Sequence, residues 1–560
     1  MAKQTKTKSI EETLWQSCDK LRGSIEPSEY KHVVLGLIFL KFASDKFEER
    51  KKELIAEGKE KYVEMKDFYN MKNVFFLQDT SRWSYIKANA KQDDLALKID
   101  TALHQIEKNN PALKGALPDN YFSRLGLDRT KLASLIDKIS EINTIADKQN
   151  DIVGRVYEYF LSKFAIKEGK GKGEFYTPKS IVNLIAEMIE PYQGIIYDPA
   201  CGSGGMFVQS IKFIENHHGN KKEVSVYGQE YTNTTYKLAK MNLAIRGIAA
   251  NLGEKAADTF GADQHPDLKA DFIMANPPFN QKDWRAENEL IDDPRWRGYE
   301  VPPKSNANYG WILNMVSKLS TNGVAGFILA NGALSGGGDE YKIRKKLIEN
   351  NLVEAIVILP RNMFYTTDIS VTLWILNNNK NEKTVNKGAE MRHYRNRKEE
   401  ILFIDLRQQG EPFEKKYIQF SNTQIEAIAK TYHIWQTVAP NNDTVTSSNS
   451  RGTSELYREA KFQQPTNAVT SSVPTENVGM YREAYKNIPE YCYSATKDEV
   501  IKKDYSLVPS KYIEFVNQDE NIDFHTKMQT LQTELKDLLE QEEASKAELQ
   551  NVFKALGYEL

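Results

Sequence analysis

Asn276-Pro277-Pro278-Phe279 has the residue types that chemistry at an exocyclic amino group of a nucleic-acid base requires. Such a nitrogen is a poor nucleophile because its lone pair is delocalised into the ring. The side-chain oxygen of Asn276 and the carbonyl of Pro277 could each accept one N–H, which would localise the lone pair toward an electrophile. Phe279 could then stack on the extruded base, a contact that contributes about 1–3 kcal/mol.

The same four residues also fit an ordinary turn, because proline fixes φ and biases the preceding residue away from helix. Their position favours the chemical interpretation. The apolar run at residues 271–275 predicts a buried strand, so the motif would follow the strand's carboxyl end. Open α/β sheets bind their ligands at that end of the strands.

A glycine-rich turn precedes this motif in the chain. Residues 194–198 predict a strand and residues 206–216 a helix, and Pro199-Ala200-Cys201-Gly202-Ser203-Gly204-Gly205 joins them. This layout is typical of a nucleotide-binding crossover, in which glycines let the backbone approach a ligand closely. The spacing fits neither a dinucleotide fingerprint nor a P-loop. Asp198, at the strand end, adds an acceptor for an ammonium or ribose group.

Two acidic residues extend the predicted ligand site. Glu230 follows a predicted strand at residues 224–228, where such folds bind ribose hydroxyls, although a helix-opening charge is an alternative role. Asp258 could accept a hydrogen bond from an adenine amino group while Phe260 packs on the ring. A turn-forming aspartate is the alternative there.

The segment Glu174-Phe175-Tyr176-Thr177-Pro178-Lys179 opens a predicted helix. Thr177 is predicted to be its N-cap, with Pro178 at the first helical position. A helix N-terminus presents free N–H groups to an anion such as a cofactor carboxylate, and the neighbouring aromatic rings could pack on that cofactor.

The rest of the chain predicts a helical region over residues 9–150, then further strands at 324–330, 353–359, 371–376 and 402–406. The polar loop 280–308 interleaves Trp284, Arg285, Arg295, Trp296 and Arg297, which suits a splayed nucleic-acid strand nearly as well as an ordinary surface loop. A flexible glycine-rich loop is predicted at 331–338. Residues 437–476 have a composition typical of disorder, and the final residues predict a helix with an apolar stripe.

Composition limits the function classes. The 560 residues suggest three to four domains, with 40% hydrophobic and 27% charged residues and a formal net charge of −2. Any nucleic-acid surface must therefore be local or supplied by a partner. The three cysteines, which are scattered, predict neither a disulfide framework nor a metal site and fit a reducing cytoplasm. The apolar run at 33–40 is too short to span a bilayer, so no membrane association is expected.

Together, Phe175-Tyr176-Thr177-Pro178, the run from Asp198 to Gly205, Glu230, Asp258 and Asn276-Pro277-Pro278-Phe279 resemble the amino-group DNA methyltransferases that use S-adenosylmethionine. The order, with the cofactor motifs first, resembles the adenine-N6 class. The helical region ahead of these motifs and the stretch 359–364 with Thr366 resemble the modification subunit of type I restriction-modification systems.

The resemblance implies a doubly wound α/β methyltransferase sheet, preceded by a helical N-terminal domain and followed by a helical C-terminal tail. We expect a helical domain at 1–150, the catalytic domain at 151–410, a polar, partly disordered excursion at 411–496 and a helical partner-binding segment at 497–560. Asn276, Pro277, Pro278 and Phe279 would hold a flipped adenine. The cofactor would be held by Glu174, Phe175, Tyr176, Thr177, Pro178, Lys179, Asp198, Gly202, Ser203, Gly204, Gly205, Glu230 and Asp258.

The same resemblance implies double-stranded DNA as the substrate, a separate specificity subunit that reads its sequence, a second copy of this chain, and a restriction subunit with helicase and nuclease activities in the larger complex. Alternatives stay open at this point. A protein-glutamine methylase presents the same N–H pair to the motif, and a cytosine-N4 methylase shares the amino chemistry. A non-catalytic assembly subunit that binds only DNA or partners is the third alternative.

Overall fold

The computed structural model describes residues 27–142, 158–163, 176–364, 370–387, 390–413, 417–437, 484–515 and 524–555, together with residues 15 and 156. These residues fall into two units, one ending at Ile513 and the other beginning at Glu514. Among the described helices, none combines the length and the apolar character that crossing a membrane requires.

The first part of the larger unit is helical, as its three- and four-residue apolar spacing predicts. Helix α1 is apolar around most of its circumference between Val33 and Leu40, and every one of those side chains is buried. The core of this bundle continues into a helix of the sheet region through Leu238, Met241 and Ile245. The helices of this part are α1 (Pro27–Ala56), α2 (Asp67–Asn70), α3 (Trp83–Ala88), α4 (Leu95–Asn109), α5 (Tyr121–Arg124) and α6 (Arg129–Ser140).

A sheet with helices on both faces follows. The helices of this region are α7 (Lys179–Ile189), α8 (Gly205–Asn216), α9 (Asn233–Ile245), α10 (Asn308–Lys318), α11 (Gly338–Glu349), α12 (Asn422–Gln436) and α13 (Lys497–Lys502). The second unit contains α14 (Phe524–Ala555). The strands are β1 (Gly194–Asp198), β2 (Val224–Gly228), β3 (Ala250–Asn251), β4 (Ala270–Ala275), β5 (Leu319–Ala330), β6 (Val353–Ile358), β7 (Val371–Asn377), β8 (Lys383–Lys387), β9 (Glu390–Tyr394), β10 (Glu400–Asp405), β11 (Glu411–Phe413), β12 (Tyr417–Gln419) and β13 (Cys492–Thr496).

Nine strands form the main sheet, in the order β13-β10-β6-β7-β5-β4-β1-β2-β3. The pairs from β3 to β5 are parallel, whereas β7 runs antiparallel to both β5 and β6, and β13 runs antiparallel to β10. Two hairpins, β8-β9 and β11-β12, lie outside this sheet. The strand order reverses between β1 and β4, which makes their carboxyl ends the topological switch point.

Each face of the sheet buries a separate apolar cluster. Helices α7, α8 and α12 pack on one face, around side chains such as Ile185 and Met274. Helices α10 and α11 cover the other face, around side chains such as Phe327 and Trp374. Because both faces are covered, the strands are nearly continuous apolar runs rather than alternating ones. The architecture is the doubly wound α/β fold that the sequence predicts.

The flanks of the expected 411–496 excursion are ordered parts of the sheet region. Helix α12 buries Tyr432 and Trp435 against it, and β13 adds an edge strand beside β10. The Ser/Thr/Asn/Pro-rich composition belongs to the middle of that range. Residues 438–483, which include most of the predicted 437–476 disorder, lie outside the described residues.

The beginning of the expected C-terminal segment also belongs to the larger unit. Helix α13 starts with a capping box between Thr496 and Glu499. The ring of Tyr512 stacks on Phe403 of β10, with centroids 4.1 Å apart and planes 7° from parallel. The segment that stands apart is therefore shorter than 497–560 and includes α14.

Candidate active site

The switch point brings two of the predicted motifs side by side. Strand β1 pairs in parallel with β4, so Asp198 and Asn276 both lie at the same edge of the sheet. The sequence folds this way because each motif directly follows a buried apolar strand, and parallel strands end at a common edge.

Asn276 holds its side chain in a defined orientation. The residue is 8% exposed, and its Nδ2 donates to the hydroxyl of Thr177 at 2.9 Å. The Oδ1 atom is buried and accepts no hydrogen bond from the part of the chain that the structure describes. A buried acceptor without a donor costs about 1–3 kcal/mol. The amide oxygen is therefore an acceptor that a ligand N–H group would satisfy.

The residues after Asn276 are held by a second pair of asparagines. Asn280 and Asn308 exchange two hydrogen bonds, from the Asn280 N–H at 3.0 Å and from the Asn308 amide at 2.9 Å. This pair ties the end of the motif to the start of α10. Asn308 was not predicted from the sequence, because no local pattern connects it to a residue twenty-eight positions earlier.

Phe279 is only half-buried, which leaves part of its ring accessible. The buried ring of Phe364 contacts it edge-on, with centroids 5.8 Å apart and planes at 85°. Pro277, by contrast, is buried and Pro278 is half-buried. The four motif residues thus combine a buried polar acceptor with a partly accessible aromatic ring.

The glycine-rich turn after β1 is open toward solvent on one side. Gly202 and Gly204 have φ values of +53° and +79°, a conformation that favours glycine. A Cβ atom added at Gly202 or Gly205 would have no atom of the described chain within 4 Å. The backbone can therefore approach a ligand closely at this turn.

Glu230 lies directly against this turn. Its two carboxylate oxygens accept from the Gly202 N–H at 3.1 Å and from the Thr232 N–H at 2.8 Å. Ser203 is held through its carbonyl, which accepts from the Asn242 amide at 2.7 Å. The structure thus brings together Glu230 and the turn, as the order of the motifs predicts.

Burial changes the acidity of two groups beside the turn. Asp198 is 1% exposed, and burial raises the pKa of its carboxyl to about 8. The hydrogen bond that the carboxyl accepts from the Ala200 N–H, at 3.0 Å, has the smaller opposite effect and lowers the pKa. The charge of Glu230 raises that pKa further. Burial likewise raises the pKa of the Cys201 thiol well above its ordinary value. Cys201 therefore stays a thiol at neutral pH, which argues against a nucleophilic role.

The expectation that Phe260 packs on an adenine ring beside Asp258 is wrong. Phe260 is 3% exposed, and its ring packs between Trp284 and Trp311, with centroids 4.4 Å from each. The ring of Phe260 is therefore part of the apolar core. The Asp258 carboxylate accepts from the N–H groups of Phe260 and Gly261, each at 3.2 Å, as a turn-forming aspartate does. Tyr231, directly after Glu230, is 74% exposed.

The segment before α7 is described from residue 176 onward, so Glu174 and Phe175 lie outside the described residues. The prediction of Thr177 as N-cap is wrong. Helix α7 begins at Lys179 with Pro178 in the cap position and without a side-chain cap. The hydroxyl of Thr177 contacts the amide of Asn276 instead, a long-range partner that a local capping rule does not consider. Tyr176 is partly buried against the N-terminal core, and Lys179 is exposed.

The loop at 280–308 does not present its tryptophans for base stacking. Trp284 and Trp296 are 8% and 2% exposed, and both belong to the core of the sheet region. The guanidinium of Arg295 donates to the carbonyls of Thr259 and Phe260 and to Asp293. These residues stabilise the loop. The glycine-rich segment at 331–338 contains a short 3-10 turn, Asn331–Leu334, before α11 begins.

A family model described as N-6 DNA Methylase matches residues 148–521 of this chain. The chain belongs to the N-6 DNA methylase family. A second model, the HsdM N-terminal domain, matches residues 10–139.

Two relatives identify the branch of this family. The chain is 40% identical to the type I restriction enzyme HindI methylase subunit of Haemophilus influenzae, over 84% of this chain and 94% of the relative. It is 34% identical to the MjaIX methylase subunit of Methanocaldococcus jannaschii, over 99% of this chain and 92% of the relative. This N-6 DNA methylase is thus a methylase subunit of the type I restriction-modification class.

A solved structure supports the fold. The methyltransferase subunit of a type I restriction-modification system from Streptococcus thermophilus superimposes with a TM-score of 0.67 at 22% identity, covering 90% of this chain and 99% of that one. Membership of the N-6 DNA methylase family implies S-adenosylmethionine as the methyl donor. The family also decides among the alternatives, since it is an adenine-N6 DNA methylase family rather than a protein-glutamine or non-catalytic one.

Proposed function

We propose that this chain holds an extruded adenine with its 6-amino group between the Asn276 side-chain oxygen and the Pro277 carbonyl. The observation that carries the proposal is the buried Oδ1 of Asn276, which lacks a donor among the described residues. The two acceptors draw the lone pair of the amino nitrogen out of conjugation and stabilise the positive charge that develops on it during methyl transfer. Phe279 stacks on the base, and Phe364 supports that ring from its edge.

The residues around the β1 turn fit S-adenosylmethionine, which supplies an electrophilic methyl group when it is bound. The open backbone at Gly202 and Gly205 accommodates the ligand's close approach, Ser203 and Gly204 complete the turn, and Glu230 accepts from the ribose hydroxyls. Asp198 provides an acceptor for the ammonium group, and Asp258 one for the adenine amino group. We assign Glu174, Phe175, Tyr176, Thr177, Pro178 and Lys179 to cofactor binding as well.

The buried position of Phe260 calls for another aromatic ring beside the cofactor's adenine. We assign that contact to Tyr231, because it follows Glu230 directly and is 74% exposed. The sequence signal for this residue is its position, immediately after the acidic residue that ends the second strand.

Asn276 and Pro277 would hold the amino nitrogen in line with the methyl group that bound S-adenosylmethionine would supply, and no residue of this chain would form a covalent intermediate. Positioning accounts for most of the rate in such a reaction. The raised pKa of the Cys201 thiol fits this mechanism, since no nucleophile is required.

We further propose that a separate specificity subunit reads the DNA sequence and that two copies of this chain act with it. The formal net charge of −2 supports that division, because this chain lacks the overall positive charge of a self-sufficient DNA reader. A restriction subunit with helicase and nuclease activities would join the larger complex. A DNA substrate and three scattered cysteines suit the reducing cytoplasm.

The test is transfer of labelled methyl from S-adenosylmethionine to unmethylated double-stranded DNA, followed by nucleoside analysis. The chain is assayed alone and with the specificity subunit. We expect label in N6-methyladenosine only when both are present. Label in N4-methylcytosine, or no label on DNA with both subunits, would contradict the proposal.

A further inference from the structure

The amide of Asn276 has two ends with different surroundings. Its Nδ2 is 2.9 Å from the Thr177 Oγ1, whereas its Oδ1 has no donor among the described residues. We propose that Thr177 is a positioning residue, whose hydroxyl satisfies the amide N–H of Asn276 and so keeps the amide oxygen directed at the target amino group. This inference rests on the function proposed above.

The chemistry of the amide explains why such a partner is needed. A primary amide has a donor end and an acceptor end of nearly equal size, and either end can face the substrate. An amino group on a base offers two N–H donors, so only the oxygen of Asn276 can serve it. If the amide were reversed, its Nδ2 group and the amino group of the base, both donors, would face each other. A hydroxyl that accepts from one N–H of Nδ2 gives the productive orientation a partner at both ends of the amide once substrate is present. In the reversed orientation the Thr177 hydroxyl could donate to the amide oxygen, but the substrate N–H groups would face Nδ2.

The backbone around Thr177 suits it to this role. Pro178 follows it and fixes the local φ, and α7 begins at the next residue. Helix α7 is anchored to the sheet by buried Ile181, Leu184 and Ile185. The hydroxyl is thus carried by a rigid element, and it reaches a residue 99 positions away in sequence. The contact links the segment assigned to the cofactor with the motif assigned to the base.

A positioning role for Thr177 can be distinguished by measurement from a role in cofactor contact alone. A cofactor contact would change the dissociation constant of S-adenosylmethionine. A positioning contact would change the rate of transfer within the assembled complex and leave that dissociation constant in place. Leaving one buried donor unpaired corresponds to a loss of about 5- to 100-fold in rate.

The experiment uses Thr177→Val, which keeps the shape of the side chain and removes the hydroxyl, and Thr177→Ser, which restores the hydroxyl. Each variant is purified with the specificity subunit, and methyl transfer to DNA copied in vitro is measured in a single turnover at saturating S-adenosylmethionine. We expect T177V to be about 5- to 100-fold slower, with cofactor affinity within about twofold of the original protein, and T177S to recover most of the rate.

Thr431→Val is the matched control. Thr431 is 7% exposed on α12, and its hydroxyl donates to the Ala427 carbonyl at 3.0 Å, so the change removes a buried threonine hydroxyl that has no part in the site. We expect its single-turnover rate to be unchanged. Thermal melting of all three variants shows whether each is folded, and T177A is used if T177V melts early.

Two results would overturn the inference. One is a normal transfer rate in T177V, and the other is a rate loss that cofactor saturation reverses in full. An Asn276→Ala variant assayed in parallel distinguishes failure of the proposed function from failure of the role assigned to Thr177. Normal transfer in N276A would refute the proposed function itself, whereas inactive N276A with normal T177V would refute only the role of Thr177.

Discussion

At the scale of single residues, the site keeps two buried polar groups in forms that a ligand would stabilise. Among the residues that the structure describes, no donor reaches the Oδ1 of Asn276, and the carboxyl of buried Asp198 accepts one hydrogen bond, from the Ala200 N–H. Both arrangements cost stability in the free protein, as polar groups at binding sites commonly do. A bound donor or cation would recover that cost.

Asp198→Asn should stabilise the ligand-free protein, by a margin that grows with pH. The pKa of Asp198 is about 8 in the folded protein against an ordinary value of 3.8, so between those values the unfolded chain gains stability by ionising while the folded chain does not. Asparagine removes this penalty and keeps the acceptor for the Ala200 N–H. We expect the gain to be larger at pH 8 than at pH 5, in the range of a few kcal/mol.

Thermal melting of both proteins at the two pH values measures this difference. Binding of S-adenosylmethionine should weaken in D198N, because asparagine, unlike the carboxyl, cannot ionise when the ammonium group lies beside it. If D198N is less stable than the original protein at both pH values, the buried carboxyl of Asp198 does not destabilise the folded protein.

At the scale of elements, the segment between β13 and the second unit belongs to the core of the sheet region. Leu507 is fully buried, its N–H donates to the Leu334 carbonyl at 3.0 Å, and the ring of Tyr512 stacks on Phe403. The Leu507 contact lies next to the turn at 331–334, which follows β5 at the ligand edge of the sheet. The segment therefore stabilises the region that surrounds the site.

Tyr512→Ala should destabilise the larger unit by about 3–5 kcal/mol, because it removes a buried aromatic ring from a packed stack. Ile501→Ala is the control in the same unit, since Ile501 is 41% exposed on α13, and its change should cost less than about 0.5 kcal/mol. Chemical unfolding followed by tryptophan fluorescence reports both. Equal shifts of the unfolding midpoint in the two variants would be inconsistent with this placement.

The elements also show why some predictions succeeded. Strands β1, β2 and β4 follow apolar runs bounded by glycine or polar residues, and each was predicted within one residue at either end. These patterns are local, so the sequence shows them directly.

The expectations that were wrong concern contacts between distant residues. Thr177 fits a local cap rule but contacts Asn276, and Phe260 lies beside the predicted adenine site in sequence but packs between two tryptophans. The packing of α12 and β13 on the sheet, on either side of the Ser/Thr/Asn/Pro-rich stretch, was not predicted from the sequence. Each of these contacts depends on tertiary packing, which a single sequence does not show.

At the scale of the whole molecule, α14 carries an exposed apolar stripe. Leu535 and Leu538 are 58% and 61% exposed, and Met528, Leu531, Leu549 and Val552 are about half exposed on the same helix. The three- and four-residue spacing of these side chains forms one face, with charged residues opposite. Such a face fits helices of a partner, and we propose that it contacts the specificity subunit.

Leu535→Asp should weaken assembly with the specificity subunit, because it places a charge in an apolar interface. Thr533→Asp is the matched control, since it introduces the same charge on the opposite face of α14. We expect co-purification with the specificity subunit to fail for L535D and to persist for T533D, while both variants still bind S-adenosylmethionine. Retained assembly in L535D would refute the assignment of this face.

The measurement that tests the account most directly compares Asn276→Ala with the original chain, both assembled with the specificity subunit. Methyl transfer to adenine N6 and binding of S-adenosylmethionine are followed in the same preparations. The account predicts that transfer falls to background while cofactor affinity stays within about twofold, since the amide oxygen acts on the target base and not on the cofactor. Near-normal transfer in N276A would contradict it.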